Sequence, residues 1–375
     1  MNWSNLEEPA DVSDLADVIR SSPGIVLRGA ETKPTLTPHA PEELVVSLRR
    51  ISGIVAYHPL DFSITALAGT PLAEIESALA ERKQRLPFDP PNLAPVSTLG
   101  GSVSTALEGP GAFQWGGVRN HLLAVQFCDG IGQTLRSGGR VLKNSAGLDL
   151  SRFLAGSLGR FVALTEITLR TSPLPEASAT IAWPCTSLER AVALLRNLGA
   201  SPWPFDALDL EVASPENPLN VVLARISGRA SAVEESAQRI VQTSSVPALC
   251  LSAEESAARW DQRRHLRWVP ARHALVKIPI TTSSLSAFDA ACAALEATRT
   301  YSHGGRLAWV ALPAPALLES TLRDLGLKGL LIFGPSSFTG SPFLGKWPPS
   351  PLMRRLKLLF DPKLKFLPWP EAETL

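Results

Sequence analysis

A chain of 375 residues is long enough for two domains, each with its own core. Apolar residues at 45% and charged residues at 19% describe a globular protein and argue against disorder. The formal net charge of +1 gives no reason to expect nucleic acid or an acidic membrane surface as a partner. The acidic start without an apolar segment predicts no signal peptide. No apolar run approaches the length of a membrane span, so we expect a cytoplasmic protein.

The cysteines and histidines show no metal-binding spacing. Cys128, Cys185, Cys250 and Cys292 are scattered, and no two of them form a C-x-x-C pair. A zinc or iron–sulfur site needs several closely spaced ligands, so we expect no metal and four reduced cysteines. If this protein moves electrons, a flavin or a partner must carry them.

The first part of the chain alternates short strands and short helices, which is an α+β pattern. Helices are predicted for residues 11–19, 72–79 and 149–154, and strands for residues 25–28, 53–57, 62–68, 122–128, 134–136 and 162–169. Pro71 is well placed at the start of the helix over 72–79. The proline-rich stretch 172–176 resembles a linker.

After this linker, helices alternate with strands and predict a second α+β domain built on an antiparallel sheet. The predicted helices cover 187–198, 231–241, 253–264, 285–297 and 316–325, and the predicted strands cover 208–212, 221–226, 247–251, 273–280 and 306–312. Residues 338–347 are predicted as a loop and 352–360 as a helix. The stretch 340–346 has the spacing of a phosphate-binding Walker loop, but Trp347 and two prolines follow, so we interpret it as an ordinary loop.

Two glycine-containing segments carry the chemistry. Ser97-Thr98-Leu99-Gly100-Gly101-Ser102-Val103 places hydroxyls and glycines where a loop becomes a short helix. Backbone amides can approach an anion where no Cβ blocks them, so this pattern fits a buried phosphate, although a plain tight turn is the alternative. The second segment, Lys143-Asn144-Ser145-Ala146-Gly147-Leu148-Asp149-Leu150, is followed by the glycine-rich turn 155–159 and an apolar strand.

Together these segments resemble the FAD-binding domain of the vanillyl-alcohol-oxidase/PCMH flavoproteins, and more narrowly the FAD-binding (E-type) subunits of glycolate oxidase. The resemblance covers residues 25–172 and extends to the tail Phe360-Asp361-Pro362-Lys363-Leu364-Lys365-Phe366-Leu367-Pro368. It implies a PCMH-type FAD-binding domain of two α+β subdomains over 1–175 and an α+β cap domain with an antiparallel sheet over 176–345. A C-terminal helix and tail over 346–375 would return to the FAD-binding domain.

The resemblance also implies a set of cofactor contacts. Arg28-Gly29-Ala30-Glu31-Thr32-Lys33 stands where the family has a loop of the type Arg-Gly-Gly-Gly-Thr-Lys, which binds the diphosphate. A carboxylate at position 31 costs Coulomb energy there unless it points away or pairs with Arg28 or Lys33. The implied contact residues are Arg28, Gly29, Thr32, Lys33, Gly69, Thr70, Ser97, Thr98, Leu99, Gly100, Gly101, Asn144, Gly147, Asp149, Gly156, Ser157, Gly159 and Val162.

Several positions depart from the family pattern. Arg160-Phe161-Val162 stands where Thr-Leu-Gly is usual, and the lost glycine adds bulk beside the flavin. Asp149 has an alternative role as a helix N-cap. The histidine that binds flavin covalently in some relatives is absent near Thr32, so the resemblance implies noncovalent FAD.

The function implied is that of an FAD-binding subunit of a glycolate (2-hydroxy acid) oxidase or dehydrogenase complex. Electrons would pass from substrate through flavin to an iron–sulfur partner, in a hetero-oligomer with a catalytic flavin subunit and an iron–sulfur subunit. Any association with the inner membrane would be peripheral, through these partners. Two alternatives stay open: a flavin-free scaffold that assembles the same complex, and a stand-alone FAD-dependent oxidoreductase.

The remaining charged features are less specific. Arg259, Arg263, Arg264, His265, Arg267 and Arg272 form a basic run, which is interpreted as a solvated helix face or, alternatively, as a docking patch for an acidic partner or, with Lys277, a carboxylate site. His303, before two glycines, is predicted to lie in a turn.

Overall fold

The computed structural model describes residues 5–38, 43–93, 96–139, 149–215, 217–335, 338, 340–348 and 350–370. The strands are β1 Leu6–Glu7, β2 Ile25–Arg28, β3 Leu44–Ser47, β4 Ile54–His58, β5 Ser63–Leu67, β6 Gln84–Arg85, β7 Leu122–Cys128, β8 Thr134–Gly138, β9 Ala163–Arg170, β10 Ser172–Pro173, β11 Ala177–Cys185, β12 Phe205–Glu211, β13 Asn220–Gly228, β14 Leu249–Cys250, β15 Ala274–Pro279, β16 Thr298–Ser302, β17 Leu307–Leu312, β18 Lys328–Phe333 and β19 Phe343–Gly345.

The α-helices are α1 Val12–Ser21, α2 Leu72–Glu81, α3 Leu99–Thr105, α4 Ala112–Trp115, α5 Val118–His121, α6 Leu150–Leu154, α7 Leu188–Gly199, α8 Ala230–Thr243, α9 Ala253–Arg264, α10 Leu285–Ala294, α11 Ala316–Asp324 and α12 Pro351–Phe360. Short 3₁₀ turns span Pro34–Leu36 and Pro59–Asp61. In the described part of the chain, no helix is long and apolar enough to cross a bilayer.

The chain divides into two compact units. The first contains residues 1–108, 116–174 and 348–375, and the second contains residues 109–115 and 175–347. From the sequence, we predicted domain boundaries after residues 175 and 345, with residues 109–115 in the first domain.

The first unit contains two main sheets. Strands β1, β3 and β2 form a parallel sheet in the order β1-β3-β2, and an antiparallel sheet has the order β4-β5-β9-β7-β8. The tail continues the parallel sheet, because the backbone amide of Ile25 donates to the carbonyl of Lys365 over 2.8 Å and Ile25 pairs with Phe366. Phe366 is buried with Leu15 and Ile19 of α1, so apolar packing anchors the tail beside β2.

The second unit is built on a larger antiparallel sheet with the strand order β14-β11-β13-β12-β16-β17-β15-β18-β19. Side chains alternate across these strands. One set packs in a core with α7, α8, α10 and α11, while Ala182, Ala207 and Leu223 on the other face pack against Trp260 of α9. The predicted α+β class with an antiparallel second sheet is confirmed.

One sequence prediction for this unit is wrong. Residues 338–347 were expected to be a loop, but Phe343–Gly345 form β19, which pairs with β18. A pairing of this kind depends on a neighbouring strand, and the short segment carries no periodic pattern of its own.

Candidate flavin site

A cleft in the first unit gathers three of the predicted segments. It lies where β2 ends, where α3 begins and in the turn before β9, and its empty space is about 790 Å³ when the open mouth is included. The lining residues are Leu27, Arg28, Gly29, Ala30, Glu31, Thr32, Lys33, Pro34, Leu36, Thr37, Leu48, Ala68, Thr98, Gly100, Gly101, Ser104, Thr105, Leu158, Gly159, Val162 and Leu164.

Arg28 closes β2 and holds the loop that follows. Its side chain is buried, and Nη2 donates to the carbonyl of Thr37 over 3.2 Å. Nη1 lies 3.6 Å from Oε2 of Glu31, so the unexpected carboxylate is paired, as one of the sequence alternatives proposed. Glu31 adopts φ 57°, a left-handed conformation that favours glycine. The glycine usual in the family would therefore fit this backbone without strain.

The backbone amides of residues 29–33 are available to a ligand. None of them donates a hydrogen bond to another described residue. Successive free amides that include a left-handed residue form a concavity suited to an anion. Burial lowers the pKa of Lys33 to about 8, and its ammonium donates to Oγ1 of Thr32 over 3.0 Å. These donors and two cationic side chains fit the diphosphate of a dinucleotide.

The glycines of α3 have a different role from the one the sequence suggested. The amide of Gly100 donates to the carbonyl of Ala68 over 2.7 Å, and the amide of Gly101 donates to Oγ1 of Thr98 over 3.2 Å. These amides are therefore engaged within the fold. A Cβ at Gly100 would lie 2.8 Å from the Cβ of Ala68, so the glycine permits the close approach of α3 to the end of β5.

Gly69 and Thr70 brace this contact from behind. A Cβ at Gly69 would lie 2.2 Å from the carbonyl oxygen of Leu48. The hydroxyl of Thr70 accepts from the amide of Gly53 over 2.9 Å. The carbonyl of Thr70 accepts from the amide of Leu99 over 2.9 Å. These residues support the cleft without lining it.

The turn before β9 forms another wall. Gly156 and Gly159 have φ 83° and 67°, and Leu158 between them has φ 56°. The amide of Leu158 donates to the carbonyl of Ser104 over 2.8 Å, which fixes the turn against α3. Val162 is buried and lines the cleft, so its branched side chain occupies space that glycine would leave open.

Asp149 caps α6, as its alternative role predicted. Its Oδ1 accepts from the amide of Arg152 over 3.1 Å. Asn144 and Gly147 lie outside the described residues.

Of the predicted contact residues, the cleft brings together Arg28, Gly29, Thr32, Lys33, Thr98, Gly100, Gly101, Gly159 and Val162. The other described residues of the set do not line it, namely Gly69, Thr70, Ser97, Leu99, Asp149, Gly156 and Ser157. Sequence reasoning missed Ser104 and Thr105 in the lining. They follow Gly101 by three and four residues on a helix and so share its face, which was the available signal.

The basic run on α9 is not a solvated face throughout. Arg263 is buried and donates through Nη1 to Oδ2 of Asp209 and to Oγ1 of Thr300, both over 2.9 Å. Arg259 donates to Oε2 of Glu211 over 2.6 Å. The solvated-face interpretation is therefore wrong for these two arginines, which tie α9 to the sheet of the second unit.

His303 lies in a turn with φ 56° and precedes two glycines that also have positive φ. Its ring Nε2 lies 3.2 Å from the carbonyl oxygen of Gly109. Over the described residues, no group of three or more His, Cys, Asp or Glu side chains has an arrangement that could hold a metal ion.

Comparisons with known proteins show which family and which fold this chain resembles. The family described as "FAD binding domain" matches residues 5–138, which include the loop 28–33 and the start of α3. Residues 5–138 are therefore similar to FAD-binding domains. Alkyldihydroxyacetonephosphate synthase, in its P212121 structure, superposes with a TM-score of 0.70 at 14% identity, over 96% of this chain and 76% of that one. This likeness shows that the chain has the fold of that protein.

Two curated relatives make the similarity more specific. The glycolate oxidase subunit GlcE of Escherichia coli (strain K12) is 39% identical over 185 residues, which cover 49% of this chain and 52% of that one. A D-lactate dehydrogenase of Anaerostipes hadrus is 28% identical over 150 residues, which cover 40% of this chain and 31% of that one. The chain therefore spans about half, or less, of the length of these relatives.

Proposed function

We propose that the cleft of the first unit binds FAD noncovalently, with its diphosphate on the loop 28–33. The run of unbonded amides at residues 29–33 is the observation that carries this proposal, because no other described feature uses them. Lys33 and Arg28 supply positive charge, and Thr32 supplies a hydroxyl. Gly29 and Gly159 keep the floor of the cleft free of side chains. Bound FAD would supply the two-electron acceptor for oxidation of a substrate.

We further propose that the chain is the FAD-binding subunit of an oxidoreductase complex that oxidises glycolate or a similar 2-hydroxy acid. Its similarity to a glycolate oxidase subunit and to a D-lactate dehydrogenase supports this substrate class. In such a complex, electrons would pass from the flavin to an iron–sulfur partner. A catalytic flavin subunit would complete the complex.

An assay of the assembled complex tests this function. The catalytic and iron–sulfur subunits, produced from the same source, are assayed for glycolate-dependent dye reduction with and without this chain. We expect omission to abolish most of the activity. Unchanged activity on omission would overturn the proposal.

A flavin-free scaffold is the second candidate, and Glu31 and Val162 favour it. Both residues replace glycine of the family pattern, and both line the cleft. In this case the chain would restore complex assembly while carrying no flavin. The same assay, combined with a flavin assay of this chain separated from its partners, distinguishes the candidates.

Replacing Glu31 is expected to strengthen FAD binding. Glu31→Gln removes a negative charge that faces the cleft and releases Arg28 from the 3.6 Å pair, so the dissociation constant should fall by about threefold to tenfold. Glu31→Gly removes the same charge at φ 57°, where glycine is unstrained, and should also strengthen binding. Titration of flavin fluorescence at low ionic strength measures both. Weaker binding of Glu31→Gln would show that the carboxylate supports the loop.

The affinity for FAD is expected to fall as pH rises through about 8, the pKa to which burial lowers Lys33. Below this pH the ammonium is charged and attracts the diphosphate, and above it the free loop loses that charge. A bound anion favours the charged form, so the dissociation constant should rise towards tenfold per pH unit above pH 8. Lys33→Met should bind more weakly and flatten this profile. A wild-type affinity that is constant from pH 7 to 9 would contradict the assignment.

A further inference from the structure

The segment that closes the diphosphate loop, residues 34–37, contains a short 3₁₀ turn, and two buried arginines hold its carbonyl groups. The guanidinium of Arg28 donates to the carbonyl of Thr37 over 3.2 Å from one side. The guanidinium of Arg160 donates through Nη2 to the carbonyl of Leu36 over 3.1 Å from the other side. Leu36 and Thr37 both line the cleft. The far end of the loop is thus fixed by two charge-assisted hydrogen bonds.

Arg160 connects this segment to the C-terminal tail. Its Nη1 donates to the carbonyl of Pro368, and its side chain is buried. The backbone carbonyl of the same residue accepts from Nζ of Lys357 over 2.7 Å. Nζ of Lys357 also donates to the carbonyls of Phe366 and Leu367, over 3.0 and 3.2 Å. Arg160 and Lys357 together therefore join the tail to the loop.

The tail reaches the same loop from its other end. The amide of Ile25 donates to the carbonyl of Lys365 at the start of β2, and β2 leads directly into Arg28. The ammonium of Lys365 donates to the carbonyl of Ile19 and, over 3.0 Å, to that of Arg20, which keeps this part of the tail against α1. The tail thus contacts the element before the loop and, through Arg160, the segment after it.

We propose that Arg160 is a positioning residue for the cofactor: it uses the C-terminal tail to hold residues 34–37, and so preorganises the loop 28–33 for a diphosphate. The amides of residues 29–33 have no hydrogen bonds of their own among the described residues, so the shape of the loop depends on its two ends. A loop held in its binding conformation loses less entropy when it binds. The inference rests on the proposed FAD site. It also explains the replacement of the family's threonine at position 160.

The test uses the full-length chain with Arg160→Met, which keeps the bulk of the side chain and removes its donors. ADP and FAD serve as probes, and hydrogen exchange of the peptide containing residues 29–37 serves as a readout that needs no ligand. We expect both dissociation constants to rise by about tenfold and exchange over 29–37 to quicken. Arg160→Lys, which keeps a charge and can reach one of the two carbonyls, should fall between the variant and the wild type.

Arg299→Met is the matched control. It removes a guanidinium that pairs with Asp289 in the second unit at 2.6 Å, and Arg299 does not contribute to the cleft. We expect this variant to lower stability without changing the affinity for ADP or the exchange of residues 29–37.

Failure of the positioning role of Arg160 and failure of the proposed cofactor site give different results. If Arg160→Met binds ADP and FAD like the wild type and exchanges at the same rate, the positioning role is wrong, even if its melting temperature falls. If the wild type binds neither probe, the proposed cofactor site fails, and exchange alone decides whether Arg160 holds the loop. If Arg160→Met does not fold, the comparison of Arg160→Lys with the wild type decides: unchanged exchange and affinity overturn the role.

Discussion

Gly29→Val is expected to weaken FAD binding by about a hundredfold while the chain stays folded. A Cβ at this position would lie 2.5 Å from Oγ1 of Thr98, so the Thr98 side chain or the loop would have to shift. Thr98 caps α3 by accepting from the amide of Gly101, so moving its hydroxyl away sacrifices that cap. The valine methyl groups would also occupy the cleft between the loop and α3. The expected hundredfold loss of affinity corresponds to about 2.8 kcal/mol of binding free energy.

Gly139→Ala is the control for this experiment. An added Cβ at Gly139 meets no described atom within 4 Å, so the same loss of glycine flexibility occurs without a clash. Circular dichroism establishes that both variants are folded, and flavin fluorescence gives the dissociation constants. A Gly29→Val protein with wild-type affinity would show that the diphosphate does not lie against this loop.

Lys357→Met is expected to be the most destabilising single substitution in the tail. The ammonium is buried in α12 and lies 2.6 Å from Oδ2 of Asp361, which is itself fully buried. Burial lowers the pKa of Lys357 although Asp361 opposes the shift. Removing the lysine leaves a buried carboxylate without its cation, and breaking such a pair costs about 3–5 kcal/mol. The carbonyls of Arg160, Phe366 and Leu367 also lose their donor.

Denaturant titration measures this loss as a fall in the free energy of unfolding. Arg136→Met provides the comparison, because Arg136 is more than half exposed and lies 3.8 Å from Glu166. Exposed pairs of this kind contribute less than about 1 kcal/mol. Lys357→Met and Arg136→Met of equal stability would contradict the account of the tail as a buried, charge-paired anchor.

The sequence predicted best those elements whose signals are local. The strand Ile25–Arg28 and the strand Leu122–Cys128 were expected with the bounds they have, because each is a short, mainly apolar run. The helix Ala253–Arg264 was also expected with these bounds, and Ser252 and Glu255 form a capping box at its start. Helix caps and apolar periodicity can be recognised from the sequence because they depend only on neighbouring residues.

Elements that depend on distant partners were missed. Ala177–Cys185 contains three alanines and a proline, which weaken its intrinsic strand preference, yet it pairs along its length with β13. Arg259 and Arg263 were assigned to solvent as the leading interpretation because their carboxylate partners on β12 lie about fifty residues earlier in the chain. Spacing along a helix does not reveal such a partner.

In the candidate site too, features with local sequence signals were predicted, and features that depend on distant residues were not. The segments that form the cleft were identified from glycine and hydroxyl patterns. Which amides remain free within them was predicted incorrectly, because the amide of Gly100 is engaged by the carbonyl of Ala68 across the fold. The pairing of Glu31 with Arg28 was one of the open alternatives, and the left-handed backbone at Glu31 brings the two side chains together.

The visible absorption spectrum of the purified chain tests the central claim most directly. The protein is incubated with FAD, freed of unbound cofactor by gel filtration, and compared with Gly29→Val and Gly139→Ala treated in the same way. The account predicts a flavin spectrum near one FAD per chain for the wild type and Gly139→Ala, and little flavin for Gly29→Val. A colourless wild type that also fails to bind ADP would contradict it.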